Sequence, residues 1–189
     1  SRAQISEGGI PYSIVNKLST QLIDSVAIKA PDSNLINQIS NTKKEDYFIG
    51  VLIDTNISHN NKGTFINHLD GSKSWFLKIT SKNAIGLSLH FDSLYIPPNA
   101  ELFFYNKTKT QLIGKFTSSR NQTNPLTHIQ AIQGETIIVE YFEPSNVSSN
   151  FYLEISRVGY FFRGFEDYFE PFIKLPYKTP NYSKADPCQ

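Results

Sequence analysis

The amino-acid sequence predicts an all-β protein: an antiparallel β-sandwich of jelly-roll-like type, with about nine strands. Three observations carry that prediction. From Asp46 onward, short apolar segments are punctuated by turn residues at intervals of about ten residues. Within the segments apolar and polar side chains alternate with the period of a half-buried strand. Between them no stretch has the apolar spacing of an amphipathic helix.

Residues 1–45 are polar and poorly periodic, with Gly8-Gly9, Pro11, Pro31 and a run of Asn, Ser and Lys from Ser33 to Lys44. They form an extended N-terminal arm. Inside it, Ile14, Val15, Leu18, Leu22 and Ile23 fall at roughly helical spacing diluted by β-branched residues, so Tyr12 to Ile28 reads equally as a short helix or an added strand. The first strand of the sandwich is Tyr47–Ile53 and the second Thr64–His68. Then Trp75, Leu77 and Ile79 alternate with Ser74, Phe76, Lys78 and Thr80. After the turn Ser81-Lys82-Asn83, Ile85, Leu87, Leu89 and Phe91 alternate with Gly86, Ser88, His90 and Asp92. Further strands are read at Ala100–Tyr105, Leu112–Phe116, Thr127–Ile132, Thr136–Phe142 and Phe151–Phe162. The alternation points Trp75, Leu87, Leu89, Val139 and Leu153 inward and His90 outward. In the last strand the apolar phase changes from Phe151, Leu153 and Ile155 to Val158, Tyr160 and Phe162, which requires a bulge near Ser156-Arg157.

Beyond Gly164 the composition changes. Phe165, Tyr168, Phe169, Phe172, Tyr177 and Tyr182 lie among Pro171, Pro176 and Pro180, too aromatic for a free linker and too rich in proline for a central strand. The chain thus divides into an arm (1–45), a β-sandwich (46–164) and an aromatic, proline-rich tether that leads into a following domain (165–189).

Composition narrows the function. Lys and Arg number 18 against 17 Asp and Glu, a net charge of +1. That supplies no electrostatic footprint for nucleic acid or an anionic membrane. The longest apolar stretches, such as Thr136-Ile-Ile-Val-Glu-Tyr-Phe142, fall short of the roughly 18 residues of a membrane helix, so membrane insertion is not expected. Rich in tyrosine, phenylalanine and asparagine and all-β in pattern, the chain reads as exported, which leaves its single cysteine, Cys188, in want of a partner that no other residue here supplies. The expectation is the front portion of a longer secreted polypeptide; the alternative is a free surface thiol. No export signal is recognisable at Ser1.

No catalytic constellation is legible. The histidines His59, His68, His90 and His128 occupy different segments without a local signature, and there is no Gly-x-Ser-x-Gly elbow. Asp54 to Phe65 spaces oxygen-bearing side chains as a calcium loop does, but His59 replaces the turn glycine, Lys62 puts a cation among the ligands and Phe65 replaces the bidentate Glu. A polar hairpin loop fits better, and no metal or cofactor is expected. Asn56, Asn106, Asn121, Asn146 and Asn181 head acceptor tripeptides for N-glycans.

Read in order, Tyr47-Phe-Ile-Gly-Val, Asn56-Ile-Ser, Gly63-Thr-Phe, Trp75-Phe-Leu-Lys-Ile-Thr-Ser81, Leu87-Ser-Leu-His-Phe-Asp92, Ile96-Pro-Pro-Asn-Ala-Glu-Leu102, Gly114-Lys-Phe-Thr, Gly134-Glu-Thr-Ile-Ile-Val-Glu-Tyr141 and Ile155-Ser-Arg-Val158 resemble one family. It is the amino-terminal region of secreted bacterial trypsin-like serine proteases of the lysyl endopeptidase type. Gln4-Ile-Ser-Glu-Gly-Gly-Ile-Pro-Tyr-Ser13 is similar to the segment after the signal peptide there, and Asp186-Pro-Cys-Gln189 to the start of the mature catalytic domain. Gly159-Tyr-Phe-Phe162 departs from a His-containing aromatic run, and Phe65 from a common Trp. The resemblance implies a pro-region that is not itself an enzyme and whose partner is the protease domain downstream of Gln189. It would assist folding of that domain and keep the zymogen inactive through export. Phe165, Tyr168, Phe169, Phe172 and Tyr177 of the tether would contact the protease. Cys188 would join a disulfide with the absent domain. Processing is expected at Lys184-Ala185, in an exposed polar stretch, or by a separate protease at Lys174 or Lys178. The alternative, from another class, is a stand-alone secreted β-sandwich that serves adhesion or binds carbohydrate.

Overall fold

A strand with one apolar side must bury that side, and two sheets do so against each other. In the computed structural model, which describes residues 8–40, 49–121, 125–147 and 150–163, ten strands form two sheets. They are β1 (Ser25–Ala27), β2 (Gly50–Ser58), β3 (Thr64–Asn67), β4 (Lys73–Thr80), β5 (Gly86–Tyr95), β6 (Glu101–Asn106), β7 (Leu112–Phe116), β8 (Ile132–Gln133), β9 (Thr136–Glu143) and β10 (Tyr152–Phe161). The first sheet runs β1-β4-β9-β6-β7, with β3 also on β4; the second runs β2-β10-β5-β8. All pairings are antiparallel except β1 on β4. The chain is all-β in class, with two short helices, α1 (Tyr12–Val15) and α2 (Ser33–Ser40).

The inward phase of both sheets meets in one core. Trp75, Leu77 and Ile79 of β4, Leu102 and Phe104 of β6, and Val139 and Tyr141 of β9 pack with Leu87 and Leu89 of β5 and Leu153, Ile155, Val158 and Tyr160 of β10. Each of the five residues expected inward, Trp75, Leu87, Leu89, Val139 and Leu153, has no exposed surface. The bulge also stands where the phase demands it: the register of β10 against both β2 and β5 slips between Ile155 and Arg157. The slip lets Ile155 and Val158 face the same core although three residues apart.

β2 runs on to Ser58, through residues read as part of a polar hairpin loop, and two further elements differ from the sequence reading. The segment read as the strand Thr127–Ile132 is irregular. It makes a bridge between His128 and His90 and two hydrogen bonds to β5, Phe91 N–H to the Thr127 carbonyl and Ile129 N–H to the Leu89 carbonyl, before β8 begins at Ile132. Leu126, Ile129, Ala131 and Ile132 are all buried, and a flat strand of period two cannot turn that spacing to one side. The last difference is the arm. Within 8–40 it carries α1, β1 and α2, so Tyr12 to Ile28 contains both a helical turn and an added strand. β1 shares one edge of β4 with β3: Asn67 to Thr64 pair with Lys73 to Phe76, and Ser25 to Ala27 with Lys78 to Thr80. The arm thereby covers the outer face of the first sheet, where Ile23 joins Phe76, Phe103, Tyr105, Leu112 and Ile138 in a second apolar cluster, with Ile14 and Ile66 against it.

Candidate functional site

Two places bring chemistry-bearing side chains together. The first lies beneath the arm. On β9, residues 138, 140 and 142 face outward, and Glu140 stands between Phe76 of β4 and Phe103 of β6 with no exposed surface. A carboxyl group in such a setting needs partners. Ser13 of α1 supplies two: its N–H donates to Glu140 Oε1 at 2.7 Å and its hydroxyl to Oε2 at 2.6 Å. The Tyr105 hydroxyl donates to Oε2 at 2.7 Å. Burial pushes the Glu140 carboxyl above the ordinary carboxylate range, against the pull of the bonds from Ser13 and Tyr105 and the charge of Lys109. Burial, with the Glu140 charge beside it, likewise raises Tyr105. Protonated Glu140 fits the same triangle, because its own proton can go to one hydroxyl while the freed hydroxyl bridges the 3.2 Å between Ser13 Oγ and Tyr105 OH.

Next to this triangle Tyr12 lies flat on Phe142, ring centroids 4.4 Å apart, and against His68 at 4.6 Å. His68 Nε2 is 2.8 Å from Ser74 Oγ. That is a serine–histidine pair the sequence did not reveal, since the strand alternation says nothing of a partner six residues back. Ser74 is fully buried and Tyr12 caps its histidine, so no acyl substrate reaches the hydroxyl. The pair serves to seat the arm.

The second place is a cleft of about 800 Å³ at one open end of the sandwich. The first sheet contributes Phe65 and Asn67 of β3, Lys73 of β4 and Glu143 of β9; the second contributes Tyr95 of β5 and Tyr152 of β10, with His59, Asn60, Val147, Asn150 and Phe151 from the connections. Phe151 forms the floor, stacked on Tyr141 with centroids 3.9 Å apart. The Tyr141 hydroxyl donates to Glu143 Oε2 at 2.6 Å, and Glu143 Oε1 lies 3.4 Å from Lys73 Nζ. His59 packs edge-on against Phe151 and Tyr152 and accepts the Leu153 N–H on Nδ1 at 3.4 Å. In its neutral form the ring proton therefore sits on Nε2. Phe65 and Tyr95 are 53% and 39% exposed, a large apolar surface to leave in water at the mouth of a cleft.

Elsewhere, His90 and His128 stack with centroids 5.6 Å apart on the outer face of the second sheet. His90 is half-buried rather than freely solvated as its outward phase suggested, because the segment carrying His128 lies over it. The oxygen-bearing residues Asp54, Asn56 and Ser58, spaced as in a calcium loop, lie along β2, strung out at about 3.3 Å per residue rather than wrapped around one point. Among the described residues no three His, Cys, Asp or Glu side chains gather as metal ligands would. Two of the glycan acceptors are engaged: Asn106 is bound to Thr110 and Gln111, and Asn121 to both the N–H and carbonyl of Ile96.

No family model, curated protein or solved structure matches the chain. Lys184, Ala185, Cys188, Phe165, Tyr168, Phe169, Phe172 and Tyr177 all lie outside the described residues. Among the described residues no helix is long and apolar enough to cross a membrane.

Proposed function

We propose that the chain is the non-catalytic pro-region of a secreted trypsin-like serine protease of the lysyl endopeptidase type, which assists folding of the protease domain and holds the zymogen inactive until cleavage. One observation carries the reading: the segments of the resemblance coincide with the elements that build the molecule. Trp75 to Ser81 covers most of β4 and its turn, Leu87 to Asp92 lies in β5, Ile96 to Leu102 is the turn into β6, with Pro98 and Asn99 exposed between buried Ile96 and Ala100, and Gly134 to Tyr141 runs into β9. Gly63-Thr-Phe65 closes over Trp75, and Ile155 to Val158 spans the bulge.

We also read the sandwich as a jelly roll. The strand orders β2-β10-β5-β8 and β4-β9-β6-β7 support it, since they follow from folding a long antiparallel ribbon twice, with β1 and β3 as additions. Such a sandwich, rich in non-local pairs, can serve as a preformed scaffold. A protease domain of non-local β pairing is the kind of partner whose slow folding a preformed scaffold relieves.

The test has two arms. Reading the gene past Gln189 is expected to reveal a further domain of about 200 residues with a trypsin-like serine motif; a stop codon there overturns the proposal. In the precursor, the mature amino terminus is expected at Ala185, and maturation is expected to stop when the downstream catalytic serine is replaced by Ala. The isolated chain is expected to turn over no peptide substrate; turnover abolished by a substitution within it would overturn the non-catalytic assignment.

A further inference from the structure

We propose that the cleft at the open end of the sandwich binds a neutral saccharide. The cleft's chemistry is independent of whether a protease follows the chain. Its one fixed anion, Glu143, faces its one fixed cation, Lys73, so the site has no net charge with which to select an ionic ligand. The carboxylate is nonetheless held in place: the Tyr141 hydroxyl fixes one oxygen and is itself clamped by Phe151, while the half-exposed Lys73 ammonium lies 3.4 Å from the other. An oriented carboxylate and ammonium side by side offer an acceptor and a donor to adjacent hydroxyl groups.

Three further features select the ligand class. Asn60, Asn67 and Asn150 add amides that both donate and accept, and all three are exposed. Phe65 and Tyr95 present aromatic surface beside them. A sugar ring combines what these groups ask for, hydroxyls around its rim and an apolar C–H face. A peptide strand would ask for unpaired main chain. At the rim the main chain of Lys73, Glu143, Tyr95 and Tyr152 is paired in ladders, while β3 pairs with β4 alone and keeps an outer edge; across the cleft between the sheets recognition falls to side chains. Trp75, the residue a sugar site would use first, is unavailable because it is wholly buried. A volume of about 800 Å³ accommodates an oligosaccharide of several rings.

The experiment is calorimetric titration of the full chain with neutral hexasaccharides of glucose, xylose, mannose and N-acetylglucosamine in α and β linkage. At least one is expected to bind with a Kd between about 10 µM and about 1 mM. Phe65→Ala and Tyr95→Ala are each expected to weaken it about tenfold or more, with unchanged far-ultraviolet circular dichroism. Should either variant misfold, Asn67→Ala, exposed on the same rim, takes its place. No binding by any sugar up to about 5 mM, binding undiminished in the folded variants, or capture of an unrelated neutral peptide and no sugar would each overturn the proposal.

Discussion

Leu89 sits where β5 faces β10, opposite Val158, and exposes nothing to solvent. Truncating such a side chain loses its transfer energy and leaves a cavity that a close-packed core refills only in part. Leu89→Ala is expected to cost about 2–5 kcal/mol in urea unfolding; a loss below about 0.5 kcal/mol, the surface range, would mean the side chain faces water. Gly63 tests a different force. Its φ is +98°, and a Cβ there would fall inside the indole of Trp75. The turn has no freedom to yield, since Trp75 Nε1–H donates to the Lys62 carbonyl at 3.2 Å and Gly63 N–H to Asp24 Oδ2 at 2.9 Å. Gly63→Ala is expected to cost about 1–3 kcal/mol through backbone strain and more through the displaced ring. The readout is the emission of Trp75, the only tryptophan, which should shift to the red as the indole loses its cover; an unshifted spectrum with unchanged stability would contradict the packing.

The same difference between local and distant forces decides which elements could be read in advance. β4, β5 and β10 were legible because each buries one side in a large core, and the period of two is then written in the chain, down to the bulge near Arg157. The N-terminal arm was not, because what holds it is a set of single contacts made across the sequence. Thr80 and Ile28, Lys78 and Asp24, and Ser13 and Glu140 pair over separations no local pattern encodes. Glu140 itself stands in an outward position of β9, where a charged side chain ordinarily signals water. The cleft was visible only as fragments, His59 and Phe65 in a loop weighed for calcium. The arm makes its own prediction. Ser13→Ala removes one donor from Glu140 Oε2 while the N–H bond to Oε1 survives, a loss of about 1–3 kcal/mol for a buried group left short of a partner. Hydrogen exchange should accelerate at residues 12–18 with β5 and β10 unchanged. Equal acceleration in the core strands would mean that arm and sandwich unfold as one unit.

Glu140 and His90 lie on opposite outer faces of the sandwich, and their titrations tilt stability in opposite directions. Glu140, under the arm, has its pKa raised from 4.5 mainly by burial. The folded state holds that proton more tightly than the unfolded chain, so folding loses stability as pH rises above 4.5. His90, on the far sheet, has its pKa lowered from 6.5 by burial, then by the charges of His128 and Arg157. There the unfolded chain binds the proton more tightly, and stability is lost as pH falls below 6.5. Each slope can be removed by itself. Glu140→Gln keeps an acceptor for the Ser13 N–H and cannot ionise, so its urea midpoint relative to the wild type should climb as pH rises above 4.5. His90→Asn cannot take up a proton, so its relative midpoint should climb in the other direction, as pH falls below 6.5. If the Glu140→Gln difference stays flat as pH rises, the carboxyl titrates as it does in water, and the arm is held by Tyr12 and the strand β1 rather than by a buried, proton-sensitive bond to Ser13.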